Sequence, residues 1–543
     1  MRTLPPLLLA CATLAQSTER VSLGAGGAQI TTGVAWPAMS GNGRYIAFTT
    51  PAANVVPGDT NNRNDVFVRD LATGVIRRAS LTAAGVEPND HCFDPQLSDD
   101  GRFVAFSSWA TNLATSDVNG AATDVFVKDM QTGALEHVSV DDNGVGGNGI
   151  SVYHAISGDG RFVTFYSYAT NLIANDSNGN AADTFLYDRV ARHIECLTVD
   201  PVTGATLGGG TAALSYDGRI VAFETVPQVV AQTGGSGTIA VLDRQTGTVR
   251  AANVNGSGQI RHGTGPIVSA DGSCVLFHTA FALDPADGDY ATDAYRFDLA
   301  TGQVALVTPS PAGTTSAYSA SASAISASGR YVLFSSHEVY DPIDTNDEYD
   351  LFVFDIGTGA VEMISVGDRG QIGDGRAGGG AIAANGARCV FLSLAANLVS
   401  GDTNGTADIF YRDRCSPSAW RNYGQGLAGS GGLVPGFALL GEPALGTTPL
   451  LLAANHTGAP TLAAMVLGAQ PASVPTPVLG TLLVQPAATA GVLVPTPALT
   501  LPIRIPTTFE LCGSRLYLQT LLLDGGAPLG VSFTRGLELV IGG

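Results

Sequence analysis

Six short stretches of this chain concentrate side-chain oxygens: GDTNNRND (58–65), SDVNGAATD (116–124), NDSNGNAAD (175–183), DPADGDYATD (284–293), DPIDTNDEYD (341–350) and GDTNGTAD (401–408). Carboxylate and amide oxygens at such short spacing are what a hard cation such as Ca²⁺ selects. Four of the stretches repeat one set of donors: Asp59, Asn61 and Asp65; Asp117, Asn119 and Asp124; Asp176, Asn178 and Asp183; Asp402, Asn404 and Asp408. None carries the distal bidentate Glu of an EF-hand loop. The competing chemistry is local, because Asp and Asn cap turns through their own backbone. Recurrence in six stretches favours turn capping, since a structural need repeats and a single active site does not. Calcium is the only cofactor these residues point to.

Other catalytic constellations are missing from the sequence. There is no GxSxG elbow, P-loop, HExxH or dinucleotide fingerprint. Past the N-terminus the cysteines are Cys92, Cys196, Cys274, Cys389, Cys415 and Cys512, with no CxxC spacing, which argues against a cysteine metal site.

The elements that position these residues come from a repeat. SGNGRYIAF, SDDGRFVAF, SGDGRFVTF, SYDGRIVAF, SADGSCVLF, SASGRYVLF and AANGARCVF recur, with turn glycines at 43, 101, 160, 218, 272, 329 and 386. A second landmark follows each one: DVFVRDLATG, DVFVKDMQTG, DTFLYDRVAR, IAVLDRQTG, DAYRFDLATG, DLFVFDIGTG and DIFYRDRC. Short β-branched or aromatic runs bounded by Asp-Gly and Thr-Gly read as strand–turn–strand units. Each copy is a four-stranded antiparallel unit, whose strands we call a to d outward from the first. One such sheet cannot bury both its faces, and radial packing of seven solves the problem, as in a β-propeller. The seventh copy stops after strand c, and ERVSLG (19–24) reads as its missing strand d, closing the ring. The geometry puts the b–c and d–a loops, and with them the acidic stretches, at one end.

This SxDGRxxAF…DVFVRDLxTG pattern resembles the TolB-type, WD40-like propeller repeat of bacterial envelope and secreted proteins, over residues 20–415. The resemblance implies a propeller and no particular activity. TolB carries an α/β domain ahead of six blades, whereas this chain reads as seven blades with no such domain, which argues against a Tol–Pal role. The expected architecture is all-β: a seven-bladed propeller over 16–418 and a β-sandwich-like domain over 419–543. The last segment alternates apolar runs with Gly and Pro turns, and its four Arg, three Glu and one Asp sum to zero charge over 420–543. It resembles a terminal module of secreted proteins from high-GC bacteria, for which attachment, sorting or carbohydrate contact are the roles to weigh.

The net charge is −20, with a single lysine, Lys128. That balance argues against nucleic acid and against an anionic membrane surface. The opening MRTLPPLLLACATLAQS reads as a secretory signal of residues 1–15, with a lipoprotein signal ending at Cys11 as the rival. No later apolar run is long enough to span a membrane. The protein is therefore expected outside the cell, in the periplasm or on the envelope. In the blade scheme Cys389 and Cys415 fall on neighbouring strands and form the candidate disulfide, the alternative being six buried free thiols.

Residues that break the repeat are the better functional candidates. The position seven residues before the last residue of strand a is Gly33, His91, Ile150, Gly208, His262, Ser319 or Arg376. His91, His262 and Arg376 stand out there, with Trp36, Tyr153 and His154 nearby on strand a. Propeller lyases hold metals on histidines near the channel, but His91 and His262 belong to blades two and five, too far apart to share an ion. The strand-c aspartates (Asp70, Asp129, Asp188, Asp243, Asp298, Asp355, Asp413) and the arginines before strand b recur, and are expected to pair within the blade. The function expected is a non-catalytic scaffold that binds a protein, peptide or glycan on the acidic loop face. The alternatives are a central-channel lyase or hydrolase, and a structural surface protein with calcium-stabilised loops.

Overall fold

A computed structural model describes residues 17–230, 237–288, 290–308, 318–415, 419–506, 511–512 and 514–542. The expected leader (1–15), including Cys11, lies outside them. The chain forms two compact units, Thr18–Arg412 and the residues from Asp413 onward.

In the first unit the described residues form seven four-stranded antiparallel sheets and no α-helix. Blade 1 runs Ala35–Met39, Tyr45–Thr50, Asp65–Asp70 and Ile76–Arg78, and the same order repeats through blade 6. Blade 7 takes Ala377–Ile382, Arg388–Ser393 and Asp408–Asp413 from the end of the repeat and Ser17–Arg20 from the N-terminus. The closing strand thus begins two residues earlier than ERVSLG, and the Val21 amide extends the pairing by donating to the Ile409 carbonyl at 2.8 Å. Each inner strand contacts the inner strands of both neighbouring blades, and the last contacts the first. This is a β-propeller.

The recurring AF and VF dipeptides explain the blade cores. In the b–c register Phe48 faces Phe67, Phe106 faces Phe126, Phe165 faces Phe185 and Phe334 faces Phe352. Their ring centroids lie 5.6–5.9 Å apart, and all eight side chains are fully buried. The a–b turns need glycine twice over. Gly160 has φ +73°, and a Cβ there would lie 2.2 Å from the Phe103 ring of the previous blade.

The same turns close the ring. The Asn42 amide donates to the Asp99 carbonyl, Asp99 to Gly158, Asp159 to Tyr216, Tyr216 to Ala270, Asp271 to Ala327, Ala327 to Ala384 and Ala384 back to Gly41, all at 2.8–3.0 Å. The repeating charges also pair as expected. Arg44 grips Asp70 through two N–H groups, and Arg102–Asp129, Arg161–Asp188, Arg219–Asp243 and Arg330–Asp355 repeat that grip at 2.6–3.2 Å. The same aspartates cap the c–d turn; Asp70 accepts from the Ala72 amide at 3.0 Å.

The second unit packs a three-stranded sheet (Phe437–Leu440, Leu450–Ala454, Ala498–Pro502) on a six-stranded one built on Arg515–Leu523. Phe437, Leu439 and Leu451 meet Leu518, Leu537 and Leu539 in a shared core, as in a sandwich. The disulfide expectation is corrected here. Cys415 is bonded to Cys512, not to Cys389. Cys389 is buried in the second strand of blade 7, in register with Ile382. Cys415 lies two residues beyond Asp413, where the blade's last repeat-derived strand has ended. No described helix is long and apolar enough to cross a membrane.

Two outcomes follow from these contacts. Deleting residues 17–22 removes the closing strand and the buried Val21, and should cost about 5 kcal/mol or more. It should also expose Asp408–Asp413 as an edge, so light scattering should detect association; an unchanged melting curve would contradict the closure. The Arg219 hydrogen bond pulls the Asp243 pKa down to about 2, so this pair stabilises the fold above the ordinary carboxylate range and is lost as pH falls toward 2. Asp243→Asn should therefore flatten the fall of stability between pH 4 and pH 2 in urea titrations.

Candidate functional site

The acidic loops are built around the first residue of strand c. In blade 1 the Ser80 hydroxyl donates to Asp65 at 2.5 Å, and the Arg78 guanidinium lies between Asp59 (3.1 Å), Asp65 (3.2 Å) and Glu87 (2.7 Å). Burial and the neighbouring Asp65 charge raise the Asp59 pKa to about 6 against the pull of Arg78. Asn61 caps its own turn by accepting from the Arg63 amide. Blade 7 repeats the scheme: Arg20 lies 3.2 Å from Asp402 and 3.6 Å from Asp408, and Asn404 donates to Asp408 at 3.0 Å. In blade 2, Asp117 accepts from the Asn119 and Gly120 amides, Asn119 donates to Asp124, and His137 lies 3.2 Å from Asp124. In blade 3, Asp176 accepts from the Asn178 amide and Asn178 donates to Asp183.

Turn-capping bonds thus come from Asn61, Asp117 and Asp176, while Asp59 and Asp402 pair with arginine. In blades 1 and 7 the donor sets do not fit calcium, because a guanidinium already lies between the carboxylates. In blades 2 and 3 only the strand-c aspartate is buried, and an asparagine N–H faces it. Among the described residues no group of three or more His, Cys, Asp or Glu side chains is arranged to hold a metal ion.

The repeat-breaking residues separate into different settings. His91 accepts the Asn64 amide on Nδ1 at 2.9 Å, so one role is to hold the blade 1 loop. His262 is exposed ahead of the blade 5 inner strand. Arg376 is exposed beside a cleft of about 520 Å³ lined also by Tyr349, Ser335, Gly379 and Leu394. No hydrogen bond, ion pair or ring contact joins His91, His262 and Arg376. His154 turns inward: it is 5% exposed, with Nδ1 3.0 Å from the Ser107 hydroxyl, and burial lowers its pKa.

Trp36 and Tyr153 stay outside, and the inner strands explain why. Each has a β-bulge about two residues from its start, which re-aims the next side chain. At that bulge Trp36 (φ 50°), Asp94 (φ 55°) and Tyr153 (φ 50°) adopt the left-handed conformation that Gly265 and Gly379 supply in blades 5 and 7. A bulky aromatic there is uncommon and strained. The bulge leaves Trp36 45% and Tyr153 58% exposed at the loop end of the channel.

Residues missed in the sequence extend these two into an aromatic platform of two clusters, one on blades 1 and 2 and one on blade 3, whose neighbouring rings are tilted by 40–85°. Trp36 meets Phe93 (ring centroids 5.8 Å apart), Phe93 meets Trp109 (5.2 Å), and Trp109 meets the His91 ring (5.7 Å). In the next blade Tyr153, Tyr166 and Tyr168 follow one another at 6.2 and 5.2 Å. Trp109 and Tyr168 are 43% and 44% exposed, and the Trp109 indole N–H is held by Thr123. Both occupy the first position after strand b, where other blades carry Pro51, Val226, Ala280, His337 and Leu394. The departure from the repeat at that position is the signal in the sequence that marks them.

Deeper in the channel polar groups gather on blades 2 to 5. Asp94 acts electrostatically on His154, and Glu224 on Tyr166. Glu224 accepts from Thr211 (2.9 Å) and the Gly265 amide (2.7 Å), which needs Gly210 alongside, since a Cβ there would lie 2.4 Å from its carboxylate. The half-buried His278 accepts the Ala322 amide at 3.0 Å, and desolvation lowers its pKa.

No protein-family model and no curated protein matches the chain. Solved structures similar to it include dipeptidyl peptidase 4 of Porphyromonas gingivalis (TM-score 0.38, 13% identity, 78% of this chain and 57% of that one). A puromycin-hydrolyzing peptidase of Mycobacterium tuberculosis gives a TM-score of 0.39 at 13% identity over 82% of this chain and 62% of that one. The GH74 xyloglucanase of Xanthomonas campestris gives 0.38 at 11% identity over 96% and 81%. This chain spans about three fifths of the length of the two peptidases.

Proposed function

We propose that this protein is a secreted or envelope-located, non-catalytic propeller that binds a neutral glycan across the loop end of blades 1 to 3. The observation that carries the reading is the platform of exposed Trp36, Trp109, Tyr153 and Tyr168, two of them on strained backbone. Flat rings offer a face to the C–H side of a pyranose, while their polar edges stay hydrated. Acidic loops around the platform and the −20 charge disfavour polyanionic chains, so neutral polysaccharides fit best. Broad exposed stacking surfaces suit binding of a chain more than enclosure of a small substrate.

A second reading, a central-channel lyase or hydrolase, is supported by one feature: the buried His154 beside Asp94, and the half-buried Glu224 beside Tyr166. It requires turnover, and the two readings part on Glu224→Gln, which should abolish an activity while leaving glycan retention intact.

Affinity electrophoresis and calorimetry against a panel of neutral polysaccharides test the main reading. At least one should retard the protein, and Trp36→Ala or Trp109→Ala should each weaken binding by about three- to ten-fold. Retention undiminished in the double variant, or none with any polysaccharide, would overturn it. Tyr153→Gly tests the strain. Glycine suits the left-handed position, so the variant should differ in stability by no more than about 1 kcal/mol in urea unfolding while losing affinity.

A further inference from the structure

In blade 6 the loop has the skeleton of blades 1 and 7 without their cation. The Ser365 hydroxyl donates to Asp350 Oδ1 at 2.5 Å, as Ser80 does to Asp65 and Ser22 to Asp408. Asp344 stands six residues before Asp350, as Asp59 does before Asp65 and Asp402 before Asp408. In those two blades the residue two before the serine is Arg78 or Arg20, whose guanidinium reaches both carboxylates. The corresponding residue in blade 6 is the buried Met363, which brings no charge.

Two carboxylates are thus buried in one loop without the arginine of blades 1 and 7; His337 acts electrostatically on Asp344 only. Asp350 is 0% and Asp344 8% exposed. Asp350 Oδ2 is buried with no donor at hydrogen-bonding distance, the Asn346 amide and the Ser365 hydroxyl being the side chains that act on this carboxylate; the matching oxygens of Asp65 and Asp408 are those that meet arginine. Blade 5 shows another solution, since its buried loop aspartate, Asp287, accepts from the Tyr295 hydroxyl, whereas blade 6 carries Phe352 in that strand position. Asp344 repels the Asp350 charge, and burial raises both carboxyls. A buried carboxylate pair with an orphan oxygen is costly unless something positive lies between.

We propose that the blade 6 loop binds one calcium ion through Asp344 and Asp350, the ion standing where Arg78 and Arg20 stand in blades 1 and 7. Two carboxylates balance a divalent charge. Asn346 is committed to the Gly373 carbonyl and the Glu348 amide, so backbone carbonyls and water complete an oxygen shell. The site is distinct from the aromatic platform, and glycan binding neither requires nor excludes it.

The test uses the full chain, treated with chelator and titrated with CaCl₂ to about 1 mM, the range of extracellular calcium modules. Calorimetry should show one equivalent bound, and the melting temperature should rise, with Mg²⁺ less effective. Asp350→Asn should abolish both effects. Met363→Arg, which imports the blade 1 arrangement, should melt higher than the parent without calcium and respond no further to it. A parent protein indifferent to calcium would overturn the proposal, as would a calcium response that persists in both variants. A pair satisfied by a shared proton would show the first of these outcomes, with stability rising as pH falls from 7 to 5.

Discussion

The structure depends on closing a ring of sheets that are not viable singly. Each blade is a four-stranded sheet with phenylalanine on its b strand and, in every blade but the fourth, on its c strand, and only flanking blades remove its faces from water. Two kinds of main-chain hydrogen bond hold the circle. At the a–b turns an unbroken sequence of amide-to-carbonyl bonds runs from Asn42 through Asp99, Gly158, Tyr216, Ala270 and Ala327 to Ala384 and back to Gly41. At the rim the N-terminal strand completes blade 7. Backbone bonds depend on spacing and not on side-chain identity, so a blade can change its loops without loosening the circle.

That independence explains how one skeleton accommodates several chemistries. The aspartate opening strand c is buried with a serine or threonine hydroxyl in blades 1, 2, 3, 5, 6 and 7. What stands beside it differs: arginine in blades 1 and 7, a histidine ring in blade 2, and a tyrosine hydroxyl on the loop aspartate in blade 5. The repeat conserves the problem, a buried carboxylate at a turn, and each copy answers it with the side chain it has. Blade 4, with Thr238 at that position, avoids it and lets Asn253 accept the Ile239 amide instead.

The strands and turns were legible because they obey period-two patterning and Asp-Gly chemistry. So were the Arg–Asp grips, since residues that recur in five of the seven copies serve the copy and not a single site. The β-bulge of the inner strand was not legible. It sits within runs such as AWPAM and SVYHAI that alternate no differently from a regular strand, and only the three-dimensional register reveals Trp36 and Tyr153 in the left-handed region. The partner of Cys415 was hidden for another reason. Blade geometry bears on cysteines inside the repeat, and Cys415 already belongs to the chain that leaves it, where Cys512 is 97 residues away.

Strain separates the platform from ordinary surface aromatics. At the bulge, blades 5 and 7 use glycine, which costs nothing in that conformation, so the fold itself asks for no side chain there. Blades 1 and 3 carry tryptophan and tyrosine at the same point, against a conformational penalty of about 1–2 kcal/mol each. Their rings are about half exposed, so burial offsets only part of that cost. Packing within the blade therefore does not account for them. On the proposed reading a ligand covers the exposed faces, which places Trp36 next to Phe93 of blade 2 and Tyr153 next to Tyr166 and Tyr168 of its own blade rather than scattered around the ring.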